Sequence, residues 1–302
     1  MVFFMPALIG MLPMPGGAYF SAPMVGQALK NTDLSPEKKV FANYWFRHIW
    51  EYVSPLYPGI VAMVTLTGLA FGEVVGVNIL LTLSVCLAGA LIVFTHGGFK
   101  KRAYRGNIAS LWKFLREISP VAVVLILAIF FKVHIAASLG LGIVIVFLMN
   151  RFNIHSIRNT FKKALSFQMF MMVMGIMIFK GILSSCGVVE DIALFMEERN
   201  VGALPVIFAI SFLSGLVTGI TIGFIGISLP IILTIIEEPT RWNMMFVFAC
   251  GFGGVLLSPV HLCLILTTQY FKANLARVYR YLIPATLFMM AIGLIGYLVS
   301  AD

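Results

Sequence analysis

The stretch LPMPGGAYFSAP, Leu12 to Pro23, sets two prolines, a glycine pair and a third proline inside an apolar run. Proline removes a backbone donor and glycine loosens a helix. A simple membrane-crossing helix has no use for either. The chain is nevertheless built for lipid. Of its 302 residues, 60% are hydrophobic and 11% charged, and the mean hydropathy is +1.00. A soluble domain carries about 25% charged residues. The composition predicts an all-α polytopic membrane protein in the plasma membrane, with the lipid bilayer as its principal partner.

Apolar runs of spanning length cover 1–29, 43–71, 77–94, 118–133, 134–149, 164–183, 203–236, 243–268 and 282–299. A crossing takes about 20 residues. At 1.5 Å per residue the 203–236 run would reach about 50 Å, against a hydrocarbon core of about 30 Å. Gly215, Gly219, Gly223, Gly226 and Pro230 interrupt it. It therefore reads as a hairpin of two half-helices that enters and leaves on one side.

Charge supports that reading. Seventeen of the 21 Lys and Arg residues lie in four regions: Lys30 to Arg47, Lys100 to Arg116, Arg151 to Lys163, and Lys272 to Arg280. The alternate connections carry Glu73, then Glu190 to Glu198, then Glu237 and Glu238. Lys/Arg excess marks cytoplasmic loops, and the alternation closes only if 203–236 turns back. The net charge of +9 is thus loop bias, and nucleic acid is excluded as a partner because no basic face forms.

The opening stretch has a counterpart. GGAYFSAP (Gly16–Pro23) and GFIGISLP (Gly223–Pro230) both place Ser five and Pro seven residues after the first Gly. SPLYPG follows at Ser54 and SPVHLC at Ser258, 38 and 35 residues after those glycines. Each unit runs hairpin, broken helix, plain span, and the two face opposite ways. Inverted repeats with discontinuous helices meeting at the midplane are a secondary-transporter signature. Irregular backbone at membrane depth survives where it is buried or lines a wet cavity. The expected organisation is a first repeat over 1–94 (hairpin 1–29, broken helix 43–71, span 77–94), a basic loop over 95–117 and a second repeat over 118–302 (spans 118–133, 134–149 and 164–183, hairpin 203–236, broken helix 243–268, span 282–299). The first repeat lacks three spans found in the second, so the sequence reads as N-terminally incomplete.

LPMPGGAYFSAPMV, NYWFRHIWEYVSPLYPG and GVLLSPVHLCLILT resemble an uncharacterised family of prokaryotic integral membrane proteins, domain-of-unknown-function family 401. The resemblance covers essentially the whole chain. It implies membership of the ion transporter superfamily, with gluconate, citrate and dicarboxylate permeases as distant relatives. It also implies an inverted-repeat fold with two re-entrant hairpins. It supplies no substrate. The relatives' Ser/Asn/Thr hairpin tips are replaced here by PGGAYFS and TGITIGFIGIS.

The candidate substrate- or ion-binding residues are Gly16, Gly17, Ser21, Gly219, Thr221, Gly226 and Ser228 at the hairpin tips, and Ser54, Ser258 and His261 at the Ser-Pro breaks. Half-helix N-termini hold anions and unwound carbonyls hold cations. Glycines spaced by four also make a helix contact face. An ionisable group within an apolar run is a functional hypothesis by default, and His261 is the one able to carry a coupled proton; its first-repeat counterpart is Tyr57. Arg47, His48 and Glu51 read as an interfacial cluster among Trp45 and Trp50, with Arg47 and Glu51 four apart on one helix face. Arg47 is the candidate anion clamp. Cys86, Cys186, Cys250 and Cys263 form no CxxC pair and read as packing thiols, so no metal and no disulfide is expected. No catalytic residue and no cofactor is assigned beyond Na⁺ or H⁺ as coupling ion. The expected function is secondary transport of a small, anionic organic solute, with a homodimer as candidate assembly. The alternatives are an intramembrane enzyme and a channel. The first lacks HExxH and any intramembrane Asp dyad, and the second lacks charged pore rings.

Overall fold

The computed structural model describes residues 3–14, 17–29, 34–94, 108–150, 201–236 and 238–299, with scattered positions between 151 and 200. Twelve helices are described in full, and no strand occurs among the described residues. They are α1 (Phe4–Gly10), α2 (Ala18–Ala28), α3 (Pro36–Arg47), α4 (Pro58–Thr67), α5 (Phe71–Phe94), α6 (Ile108–Ile129), α7 (Ile135–Asn150), α8 (Ala203–Thr218), α9 (Thr221–Ile235), α10 (Arg241–Leu257), α11 (Leu262–Tyr270) and α12 (Leu275–Val299).

Among the described residues, three segments are long and apolar enough to cross a membrane: Phe71–Val93, Arg241–Tyr270 and Leu275–Val299. The remaining apolar helices are short. At 1.5 Å per residue, α8 and α9 each extend only about 24 Å or less. They meet at Gly219, whose φ of 63° is the left-handed C-cap that glycine adopts without strain. The 203–236 run is therefore two packed half-helices. The opening stretch behaves alike, with α1, ending at Gly10, packed on α2, beginning at Ala18.

Both Ser-Pro sites break their helices, and with one local geometry. Ser54 Oγ accepts the N–H of Leu56 at 3.3 Å, and Ser258 Oγ accepts that of Val260 at 3.3 Å. Tyr57 N–H donates to the Ser54 carbonyl at 3.1 Å and His261 N–H to that of Ser258 at 3.2 Å. Tyr57 and His261 are then the N-caps of α4 and α11.

The packing of 3–94 is matched by that of 203–299. α1 rests on α3 as α8 does on α10, α2 on α3 as α9 on α10, and α3 on α5 as α10 on α12. The contacts between the two halves pair off too. α2 lies on α11 and α9 on α4, α3 on α12 and α10 on α5, while α5 meets α12. The α1–α3 contact needs Gly10, where a Cβ would fall 1.9 Å from the Arg47 carbonyl oxygen, and the α8–α10 contact needs Gly215, where it would fall 2.0 Å from that of Gly251. The most buried helices are α3 and α10, every residue of Met244–Leu256 being buried. Ring contacts of Phe41 with Tyr281 and of Tyr52 with Phe248 and Phe252 fill the space between the halves.

Several boundaries differ from the sequence reading. Residues 108–117, read as loop, continue α6, because Lys and Arg favour helix whether or not lipid surrounds them. α5 and α12 begin at Phe71 and Leu275, ahead of 77 and 282, since helices extend past the apolar segment that first reveals them. The 118–149 region is two packed helices joined at 130–134, with Lys132 at φ 51°. The 164–183 span lies mostly outside the described residues.

Substituting Gly215 by Ala forces α8 away from α10 and is expected to cost about 1–3 kcal/mol. Gly76→Ala, where nothing lies within 4 Å of the added methyl, should leave stability unchanged or slightly raised. Thermal melts of both variants in detergent check the contrast.

Candidate functional site

The four helix breaks converge. A cavity of about 380 Å³ is lined by Pro13 and Met14 from the first break, by Arg47, His48, Glu51 and Tyr57–Gly59 from the second, by Gly219–Ile222 from the third and by His261–Cys263 from the fourth. Small-molecule sites occupy about 300–1,000 Å³. Three helices, α4, α9 and α11, begin on its wall. Gly59 allows the start of α4 to reach the start of α9, since a Cβ there would lie 2.5 Å from Thr221 Cγ2.

The polar groups of the second break serve the other breaks. Arg47 Nη2 donates to the Met14 carbonyl at 2.9 Å, Trp50 Nε1 to that of Ala7 at 2.9 Å, and Tyr57 Oη to that of Gly10. These carbonyls lie at and beyond the end of α1: those of Ala7 and Met14 also accept the N–H of Met11 at 3.1 Å and of Gly17 at 3.2 Å, while that of Gly10 takes its donor from Tyr57. The last turn of α10 is treated likewise: Tyr44 Oη donates to the Leu256 carbonyl at 3.1 Å and Tyr279 Oη to that of Leu257 at 3.0 Å. Carbonyls of 48–57 are reached from α5, by Asn78 Nδ2 to Tyr52 at 3.0 Å and Thr82 Oγ1 to Ile49 at 3.4 Å.

The interfacial reading of the Arg47 cluster is overturned. Arg47, His48 and Glu51 are only 3%, 4% and 7% exposed, and Trp45 is buried with its Nε1 on the Val85 carbonyl at 2.8 Å. Nor do Arg47 and Glu51 share a helix face, because α3 stops at Arg47 and 48–57 is a series of turns. Glu51 instead has its Oε1 3.8 Å from His48 Nε2, and its Oε2 accepts a hydrogen bond from Thr221 Oγ1. That bond joins the second break to the third.

Of the sequence-derived candidates, Arg47, Gly219, Thr221 and His261 line the cavity. Gly17 stands against Arg47, where a Cβ would fall 2.2 Å from Nη1. Gly219 likewise leaves room for Ser258 Oγ, 2.9 Å from its absent Cβ. Ser258 is fully buried beside the cavity with its hydroxyl occupied by the Val260 N–H. Ser54 lines a separate apolar cavity of about 200 Å³ with Met11, Trp50 and Val75. Ser228 donates to the Phe224 carbonyl within its own helix at 2.8 Å, and Gly226 is buried mid-helix in α9; neither lines the cavity. Ser21 is buried with an unpartnered hydroxyl. Gly16 lies outside the described residues.

The sequence reading leaves His48 and Glu51 at the interface and Cys263 among the packing thiols, and assigns none of them to the site. One ligand atom each from His48, His261 and Cys263 lie within 4.8 Å of one another, all three residues being buried. The signal was present in the aligned Ser-Pro breaks: Cys263 is two residues beyond His261, on the first turn of α11.

The model of a family described as protein of unknown function, DUF401, matches residues 1–300. The chain belongs to the DUF401 family. No curated protein matches it. The polar cluster of this DUF401 chain is therefore read from its own residues.

The Thr221–Glu51 bond ties together the two halves of the DUF401 chain. Thr221→Val keeps the shape and removes the donor, and is expected to cost about 1.5–3 kcal/mol if Glu51 is ionised. A double-mutant cycle with Glu51→Gln should return a coupling of about 0.5–3 kcal/mol; additive losses would show that the bond carries no stability.

Proposed function

We propose that the protein is a multi-pass plasma-membrane secondary transporter that moves a small organic anion together with H⁺ or Na⁺. The observation that carries this reading is the convergence of three helix N-termini and the Arg47 guanidinium on one cavity built from both halves. Helix N-termini carry partial positive charge and unsatisfied N–H groups. A carboxylate placed among them meets donors on several sides without further charged residues. Arg47 adds a fork-shaped donor whose Nη1 is buried and unpartnered.

The paired packing supports an inverted-repeat organisation in which α1–α2 and α8–α9 are re-entrant hairpins. The half-helices are too short to cross about 30 Å of hydrocarbon singly, and their irregular junctions sit where non-helical backbone is tolerated, around a cavity. In this reading one half rocks against the other about the cavity, with Gly219 and Gly17 allowing the tips to approach. Relationship to gluconate and citrate permeases and placement in the ion transporter superfamily belong to the same proposal.

A panel of carboxylates and sugar acids, screened by thermal shift on the purified full chain with and without sodium between about pH 5 and 8, tests it. A ligand at 100 times its Kd stabilises the native state by about 2.7 kcal/mol. The expected result is a carboxylate hit that depends on sodium or pH and disappears in Arg47→Gln. In proteoliposomes the same solute should show saturable, ion-coupled flux. A hit that survives Arg47→Gln removes the clamp, and flux linear in concentration makes the protein a channel.

A further inference from the structure

Anion binding leaves three cavity groups unexplained. The Nδ1 of His48 is 2.6 Å from the Tyr44 carbonyl oxygen. A carbonyl only accepts, so Nδ1 carries the proton and the lone pair is on Nε2. The nearest acidic oxygen to Nε2, Glu51 Oε1, is 3.8 Å away, beyond hydrogen-bond distance. The Nδ1 of His261 is buried with no partner, although buried polar atoms are nearly always satisfied. Cys263 is a buried free thiol on the same wall. Two imidazoles and one sulfur thus share a common space, one ligand atom of each lying within 4.8 Å of the others.

We propose that His48 Nε2, His261 Nδ1 and Cys263 Sγ bind a divalent metal ion of the zinc class, with the fourth position open to the cavity. The donor set decides the class. Imidazole and thiolate suit zinc, whereas magnesium and calcium take oxygen ligands. The Tyr44 carbonyl on His48 Nδ1 is the outer partner that fixes the tautomer and orientation of a metal-bound histidine. Zn–N of about 2.0–2.1 Å and Zn–S of about 2.3 Å set tetrahedral ligand atoms about 3.3–3.6 Å apart. The cluster, within 4.8 Å, has to tighten by at most about 1.2–1.5 Å to reach that spacing. Glu51, held by Thr221 through Oε2, keeps Oε1 beside the open position, where it accepts from a metal-bound water.

The ion also changes the charge of the cavity. A divalent metal with one thiolate, the Glu51 carboxylate and Arg47 leaves a net positive charge, the sign an anionic solute requires. That last link rests on the transport reading; the metal site does not.

The test uses the purified, metal-stripped full chain in detergent, with Co²⁺ and Zn²⁺ as probes. Co²⁺ is expected to bind once per chain and give a thiolate-to-cobalt charge-transfer band. The band should vanish in Cys263→Ser and persist in Cys250→Ser. Zinc absorption spectroscopy should find one sulfur at about 2.3 Å and the remaining neighbours at about 2.0–2.2 Å. His48→Gln and His261→Gln should each weaken Zn²⁺ binding by at least about 10- to 100-fold, the loss that removal of even an outer-shell partner brings. An unchanged metal-free melting temperature separates lost ligation from misfolding, and if Cys263→Ser does not fold, the sulfur signal of the unmodified chain decides. Absence of stoichiometric binding, a band that survives Cys263→Ser in a folded variant, or a zinc shell of nitrogen and oxygen only overturns the proposal. A metal result with no carboxylate hit leaves the site standing and the anion reading unsupported; a carboxylate hit without metal does the reverse.

Discussion

Each broken helix in this chain exposes carbonyl groups that hydrocarbon cannot satisfy, and the rest of the structure is arranged to supply their donors. An unpaired buried polar group costs free energy comparable to a lost hydrogen bond. The end of α1 is met by Trp50 and Tyr57, the loop after it by Arg47, and the end of α10 by Tyr44 and Tyr279. These donors lie far from their acceptors in sequence, so satisfying the backbone and assembling the tertiary fold are one event. The breaks are tolerated because they are buried in protein around a cavity.

Around that cavity the frame is doubled but the chemistry is single. Counted from the serine of each Ser-Pro pair, Arg47, His48 and Glu51 correspond to Gly251, Phe252 and Val255, while Tyr57 and Gly59 correspond to His261 and Cys263. The backbone treats the members of each pair alike. Gly10 and Gly215 press on the carbonyls of Arg47 and Gly251, and Tyr57 and His261 cap equivalent helices. One half thus contributes the guanidinium, an imidazole and the carboxyl, and the other an imidazole and the thiol. No half holds a complete polar site.

The elements that define this frame were legible in the sequence for physical reasons. Proline and glycine act locally, so Gly219, Ser54-Pro55 and Ser258-Pro259 announce breaks without tertiary information. The 203–236 run betrayed its turn by length alone. What could not be read was which residues the breaks bring together. Arg47 and Glu51 look like a helical pair until α3 stops at Arg47, and Trp45 and Trp50 look interfacial because aromatic residues near a basic segment ordinarily are. Ser228 and Gly226 share the composition of a binding tip but lie past the turn, inside α9. Cys263 carried only its place two residues beyond His261; His48 arrives from another break.

The exchanged packing has a consequence for how the molecule is made. α4 rests on α9, and α2 on α11, so the first half leaves the ribosome before the surfaces that cover it exist. At about 5–20 residues per second, roughly ten to forty-five seconds separate the synthesis of Glu51 from that of the last of those helices. During that interval a carboxyl, a guanidinium and an imidazole must be accommodated without Thr221, His261 or Cys263. For a chain made into a bilayer, the polar side chains of the first half need shelter until the second half arrives, and the pace of translation through α5–α10 sets how long.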